Sequence, residues 1–205
     1  MNTFGLGLML LAAYLLGATP TSYIAGKLGR GIDLREHGSH NLGATNVYRL
    51  LGWKYAIPVG LLDVAKGVIP VVILGPWSNG PSWFPVALGV AAVLGHMFSP
   101  FVRFQGGKGV ATTTGMFLAL APLAIVISLP IWVAALWVTG YVSAASLTVA
   151  VLFPLWVRLT QPEAPATVWA SVAVALLIVS AHRGNMRRLV AGTEHRFRRR
   201  GGAAA

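Results

Sequence analysis

VATTTGMFLALAPLAIVISLPIWVAALWVT, residues 110–139, carries no charged side chain over its whole length. As one helix it would run about 45 Å at 1.5 Å per residue, against a hydrocarbon core of about 30 Å. Either it crosses a bilayer once with a large excess, or it is two helices. Charge on both sides decides between them. The segment before it, Arg103 to Lys108, is basic, and so is the end of the chain from His182 to Arg200. Basic loops stay on the cytoplasmic side of a membrane, which requires an even number of crossings between those two inner segments. The runs at about 141–157 and 166–181 supply two. Residues 110–139 must then supply two more, and Ala121-Pro122 is where proline removes a backbone donor and crowds the preceding turn. The spacing predicts a short helix from Val110 to Leu120 and a longer one after Pro122.

Working outward, further apolar runs of spanning length lie at about 4–24, 54–75 and 83–102. No Lys or Arg precedes the first, so Phe4 to about Tyr23 is expected to be a retained span and not a cleaved signal. The chain is 56% hydrophobic over 205 residues, with mean hydropathy +0.69, more apolar surface than a water-soluble domain of this size can hide. The expected fold is an all-α, polytopic integral membrane protein of about seven transmembrane helices, with the N-terminus outside and the C-terminus cytoplasmic. A five-span arrangement with interfacial segments is the alternative. Residues 1–205 read as a single membrane-embedded domain, with 196–205 a disordered basic tail. The net charge of +11 sits in loops and tail beside spans, which speaks against nucleic acid as the partner. With no cysteine, thiol nucleophiles and disulfides are excluded. Asp63 and Lys66, three apart within the second run, are expected to neutralise each other inside the bundle.

Three polar stretches interrupt this pattern on the same predicted side: Gly26–Gly52, Arg103–Thr114 and His182–His195. In the second, Gly106-Gly107-Lys108-Gly109 leads into a helix start. Glycines let a backbone approach an anion, free helix amides point at it, and Lys108 adds charge. Lys108 is followed by glycine, so this is not an ATP-binding P-loop. In the first, Ser39, Asn41, Thr45 and Arg49 offer hydroxyls, an amide and a guanidinium fork, groups that hold phosphate or a polyol. Asp33 and Glu36 are expected to pair with nearby arginines. In the third, His182 and Asn185 share a helical face, so a base and an amide reach one substrate, with Arg188 and Glu194 following. His96 lies near the same side and fits packing or the site equally. His37 and His40 lack further ligands at metal spacing, so no metal is expected. Neither an HxxxxD motif nor a G-x-S-x-G elbow occurs, and a catalyst without an evident nucleophile suits an activated donor. An anion transporter or channel, and a lipid-binding scaffold, are the competing classes.

Taken together, GxDxRxxGSxNxGATNVxRxLG over 31–52, GHxFxxxxxFxGGKGVAT over 95–112 and HRxNxxRLxxGTE over 182–194 resemble the bacterial acyl-phosphate:glycerol-3-phosphate acyltransferase family along essentially the whole chain. The resemblance implies a seven-helix inner-membrane enzyme moving a fatty acyl group from acyl phosphate to the sn-1 hydroxyl of glycerol 3-phosphate, giving lysophosphatidic acid for phospholipid synthesis. It implies a cytoplasmic site and no need of metal, ATP, acyl-CoA or acyl carrier protein. By position it makes Ser39, Lys108, His182 and Asn185 catalytic, and Asn41, Thr45, Arg49, Gly106, Gly107, Arg188 and Glu194 substrate-binding, with Ser143 in GYVSAAS lining the same pocket. Two departures stand out. His40 replaces a glycine usual in the family's GSGN turn, and Gly17-Ala18-Thr19-Pro20 replaces its GSIP. The proton acceptor is left open between His182 and the phosphate of the glycerol substrate.

Overall fold

The computed structural model describes residues 2–197, and every regular element among them is helical. The first span is α1 (Thr3–Ala18) and α2 (Thr21–Arg30), interrupted at Thr19-Pro20. Asn2 caps its start by accepting the Gly5 amide at 3.0 Å, and Gly31, in the left-handed region at φ 69°, ends it. An irregular loop leads to α3 (Ala44–Leu51) and then α4 (Trp53–Ile69), which a π turn at Pro70–Leu74 extends into α5 (Gly75–Trp77). There follow α6 (Phe84–Met97), α7 (Val110–Leu120), α8 (Pro122–Thr139), α9 (Val142–Thr160), α10 (Pro165–Ala181) and α11 (Arg183–Val190).

The break at Ala121-Pro122 is where the sequence requires it, with Ala121 outside both helices at φ −147°. By length and apolarity five segments qualify as membrane spans: Thr3–Arg30, Trp53–Trp77, Phe84–Val102, Pro122–Thr139 and Val142–Thr160. α10 with α11, bent by 55°, makes a sixth. The seventh apolar unit, α7, has 11 residues and reaches about 16 Å, roughly half a bilayer core.

Packing among the helices is by backbone approach as well as by side chains. α1 crosses α6, and α4 crosses α7. A Cβ on Gly17 or Gly95 would run into the backbone of Ala92 or Tyr14 on the facing helix, and Gly67 and Gly115 meet Thr112 and Val64 in the same way. With lipid as solvent, small residues at such crossings substitute for a hydrophobic driving force. α9 packs against both α8 and α10. Val126, Val133 and Trp137 of α8 are more than half exposed, as a lipid-facing surface requires. Beneath the polar end of the bundle Met116, Phe117, Phe153 and Val174 form the main core, and Leu34, Leu42, Val47 and Val102 pack the 32–43 loop onto α3 and α4.

Asp63 and Lys66 do pair, at 2.7 Å, and both are buried. The interruption of the first span explains how they tolerate burial: Lys66 also donates to the Thr19 carbonyl at 2.5 Å, and Thr21 donates to Asp63 at 2.6 Å. Of the expected tail over 196–205, residues 198–205 lie outside the described residues. Arg196 donates to the Tyr141 hydroxyl at 3.2 Å, and the Phe197 ring lies 5.2 Å from that of Tyr48.

Candidate active site

The three polar stretches meet at one end of the bundle around a single cavity of about 490 Å³. Ser39, Asn41, Thr45 and Arg49 enter it from the first stretch, Lys108 from the second, and His182, Asn185 and Glu194 from the third, with Ser143 from the start of α9.

The first stretch is held by a residue to which its chemistry alone gives no special weight. Asn46, fully buried on α3, shares the two N–H bonds of its amide among the carbonyls of Leu34, His37 and Asn41, each at 3.1 Å, and accepts the Ser39 amide at 3.0 Å. One side chain thus folds the loop into a cup and fixes Ser39 and Asn41 at the cavity wall. His40 closes that cup in the left-handed region, at φ 56°, with its Nδ1 against the Arg35 carbonyl at 2.9 Å. A glycine would adopt this backbone without strain, which accounts for the residue usual at this point of the motif. Arg35 grips Asp33 at 2.6 Å and donates to the Val102 carbonyl at 2.8 Å, so the Asp33 carboxyl, hydrogen-bonded to that guanidinium, is held below its ordinary range. These two charges serve the loop and not the cavity.

The second stretch differs from expectation in its glycines. The Gly106 and Gly107 amides donate to the carbonyls of Met97 and His96, each at 3.1 Å, and neither residue lines the cavity. Their role is close approach: a Cβ on Gly107 would strike His96 Nε2 and the Leu42 carbonyl, and one on Gly106 the carbonyl oxygens of His96 and Met97. This zipping to the end of α6 aims Lys108 inward. The donors that remain open are at the N-terminus of α7, where the first bond, from Thr113 to Gly109 at 2.8 Å, leaves the preceding amides ahead of it.

At the third stretch the 55° bend falls at His182, and both His182 and Asn185 still face the cavity. The Lys108 ammonium donates to Asn185 Oδ1. Asn185 Nδ2 donates in turn to Glu194 Oε1 at 2.5 Å, which also accepts the Ser143 hydroxyl at 3.0 Å. Arg188 pairs with the other Glu194 oxygen at 2.7 Å and stands behind it, outside the cavity wall. Glu194 is therefore a hub: burial raises its pKa, but the hydrogen bonds from Asn185, Arg188 and Ser143 prevail and hold the carboxylate ionised.

Burial pushes the Lys108 ammonium down to about 8, opposed by Glu194 and reinforced by Arg188 and Arg49. Arg49 is lowered by burial too, without losing its charge at neutral pH. His182, at the bend between α10 and α11, is buried. Its Nδ1 lies 2.8 Å from the Ile178 carbonyl, so that nitrogen carries the proton and Nε2 is an acceptor.

Below this polar mouth the cavity continues as an apolar slot between α8, α9 and α10, past Leu129, Trp132, Val149 and Val174. Its wall follows one helical face of α9, Ser143, Ser146, Ala150 and Phe153 at intervals of three and four, of which the sequence singles out only Ser143. Asp63 and His96 also border the cavity, with His96 Nδ1 3.6 Å from Asp63. Among the described residues no three His, Asp or Glu side chains gather where a metal ion could be held.

Comparisons with known proteins match this arrangement to one family. A family model described as glycerol-3-phosphate acyltransferase matches residues 7–192. A glycerol-3-phosphate acyltransferase of Geotalea daltonii is 44% identical over 191 residues, covering 93% of this chain and 97% of its own. Crystal structures of PlsY, an integral membrane glycerol 3-phosphate acyltransferase, are similar over 95% of this chain and 96% of theirs. The glycerol 3-phosphate form has a TM-score of 0.88 at 38% identity, and the lysophosphatidic acid form 0.86 at 37%.

Proposed function

This chain belongs to the glycerol-3-phosphate acyltransferase family, and from that premise we propose that it transfers a fatty acyl group from acyl phosphate to the sn-1 hydroxyl of glycerol 3-phosphate at the cytoplasmic face of the inner membrane. The products are lysophosphatidic acid and phosphate. The observation that carries this reading is the form of the cavity: a cationic mouth built by Lys108 and Arg49 that opens directly into an apolar slot. Two phosphates and a hydrocarbon chain need that combination, and here the polar residues of all three stretches border it. The excess of Lys and Arg around the mouth supports its cytoplasmic orientation. A transporter would hold its ligand near midplane between broken helices, whereas these polar groups gather at one end.

Acyl phosphate is a mixed anhydride, so the protein's task is alignment and charge neutralisation. Lys108, with the open amides of α7, holds one phosphate and stabilises the negative charge that leaves. Ser39, Asn41, Thr45, Arg49 and Ser143 orient the glycerol substrate, whose hydroxyl oxygen forms the new bond to the acyl carbon as the bond from that carbon to the phosphate oxygen breaks. The hydroxyl donates to His182 Nε2. With its Nδ1 proton committed to the Ile178 carbonyl and the Lys108 cation beside it, His182 is a poor final proton acceptor compared with a phosphate monoester, whose second ionisation lies at about 6. The proton therefore does not stay on Nε2 but moves on to the phosphate of glycerol 3-phosphate, the stronger base, and His182 orients the nucleophile. Asn185 and Glu194 keep Lys108 and Ser143 in place.

Purified protein incubated with acyl phosphate and glycerol 3-phosphate is expected to form lysophosphatidic acid, and Lys108→Ala to lose about a hundredfold or more of turnover. Product from acyl-CoA at the same rate, or none from acyl phosphate, would overturn the assignment.

A further inference from the structure

The apolar slot has a floor. Its deepest lining residue on α9 is Phe153, which is buried and stacked edge-on against the fully buried Phe117 of α7, ring centres 4.7 Å apart. On the neighbouring helices the deepest lining residues are Ile125 of α8 and Ser171 of α10. Counted back from the polar end of each helix, Phe153 and Ser171 lie at a similar depth and Ile125 about one turn deeper. From Ser143 to Phe153 the α9 wall descends about 15 Å, and from the end of α8 to Ile125 about 20 Å, at 1.5 Å per residue.

An extended hydrocarbon chain advances about 1.3 Å per methylene, from carbon–carbon bonds of ~1.5 Å at tetrahedral angles. A slot of about 15 to 20 Å thus takes roughly 12 to 16 carbons. Beyond that length the terminal methyl meets the Phe153 ring. On the side away from the slot, Phe117 and the core cluster back the ring. One turn nearer the mouth the same wall carries Ala150, buried and small, which leaves the passage open.

Resting on the acyltransferase reading above, we propose that Phe153, seated on Phe117, is the specificity-determining floor of the acyl slot and sets the longest chain the enzyme transfers efficiently. Ala150 keeps the slot clear above it. Neither residue touches the reacting atoms, so changing them alters which chains fit and not how the acyl group moves.

The test compares kcat/KM for acyl phosphates of about 10 to 20 carbons in the wild type, Phe153→Leu, Phe153→Ala and Ala150→Leu, all in one detergent. Wild-type efficiency is expected to fall past a limiting length. Phe153→Leu and Phe153→Ala move that limit longer by roughly two to four carbons, the room a removed ring leaves, and Ala150→Leu moves it shorter by a similar amount. A merely structural role gives a loss that is uniform across chain lengths, and that result, or profiles that coincide in all four proteins, overturns the proposal. A wild type that transfers no acyl phosphate of any length instead removes the acyltransferase reading itself.

Discussion

Lys108 and Asn185 lie 77 positions apart in the chain, and the ammonium of the first donates to the side-chain oxygen of the second. Through this bond the loop ahead of α7 and the helix after the last span become one surface. Asn185 turns its amide nitrogen to Glu194, and Glu194 reaches Ser143, so a cation, an amide, a carboxylate and a hydroxyl are held to one another by the fold itself. Positioning of this kind is what an activated acyl donor leaves for the enzyme to supply.

The buried setting of Lys108 predicts an alkaline limit. Its pKa near 8 means that the ammonium is charged below that value and loses its proton as the pH rises through it. In the free enzyme kcat/KM for the anionic substrates is therefore expected to fall about tenfold per pH unit above the limb. Lys108→Arg keeps its charge throughout and should abolish the limb even if its maximum is lower. Coincident alkaline limbs in the two proteins would show that another group titrates.

Glu194 tunes that limit. Its negative charge raises the Lys108 pKa against burial, so Glu194→Gln should move the alkaline limb below 8 while lowering kcat by roughly 10- to 100-fold through loss of the Arg188 pair and weaker fixing of Asn185. The measurement is a pH series on the variant. A limb that stays where the wild type has it would mean that the carboxylate positions Asn185 without acting on Lys108.

For His182 the expectation is a small effect on chemistry and a larger one on binding. A neutral imidazole whose Nδ1 proton is committed to the Ile178 carbonyl can accept the substrate hydroxyl but not retain its proton. His182→Asn should raise KM for glycerol 3-phosphate and lower kcat by less than about tenfold, with the acid limb still near about 6, the second ionisation of the substrate phosphate. A drop in kcat of about a thousandfold at unchanged KM would make His182 the base after all.

Much of this was legible because the features are local or compositional. Proline at 122 and the charges beyond residues 110–139 gave the division between α7 and α8 without any tertiary information. Residue types at Ser39, Arg49, Lys108, His182 and Asn185 announced an anion site before the helices that gather them were known. What sequence did not disclose depends on which backbone meets which. Gly106 and Gly107 read as phosphate donors, but their amides are consumed by α6, and only the crossing geometry shows that. Asn46 is an ordinary helix residue until three carbonyls converge on it. Arg188 carries the right charge for a substrate contact and spends it on Glu194.

The buried pair on α4 tests whether Asp63 belongs to the framework or to the cavity it borders. Each partner is almost fully excluded from solvent, so Asp63→Asn leaves a lysine, and Lys66→Met a carboxylate, without its counter-charge in a membrane interior. Breaking a buried pair in this way costs about 3–5 kcal/mol, which at about 2–4 °C per kcal/mol for a chain of this size lowers the unfolding midpoint in detergent by roughly 6 to 20 °C. Removing both charges together avoids the stranded ion, and the double variant is expected within a few degrees of the wild type, a strongly non-additive cycle. Thr21 and the Thr19 carbonyl, released by the interruption of the first span, would then lose a partner each, which sets the small residual cost. If the pair is framework only, the double variant also keeps its turnover within about fivefold. A double variant as unstable as the sum of the single ones would refute mutual neutralisation, and a stable but inactive one would assign Asp63, 3.6 Å from His96 at the cavity wall, to the site itself.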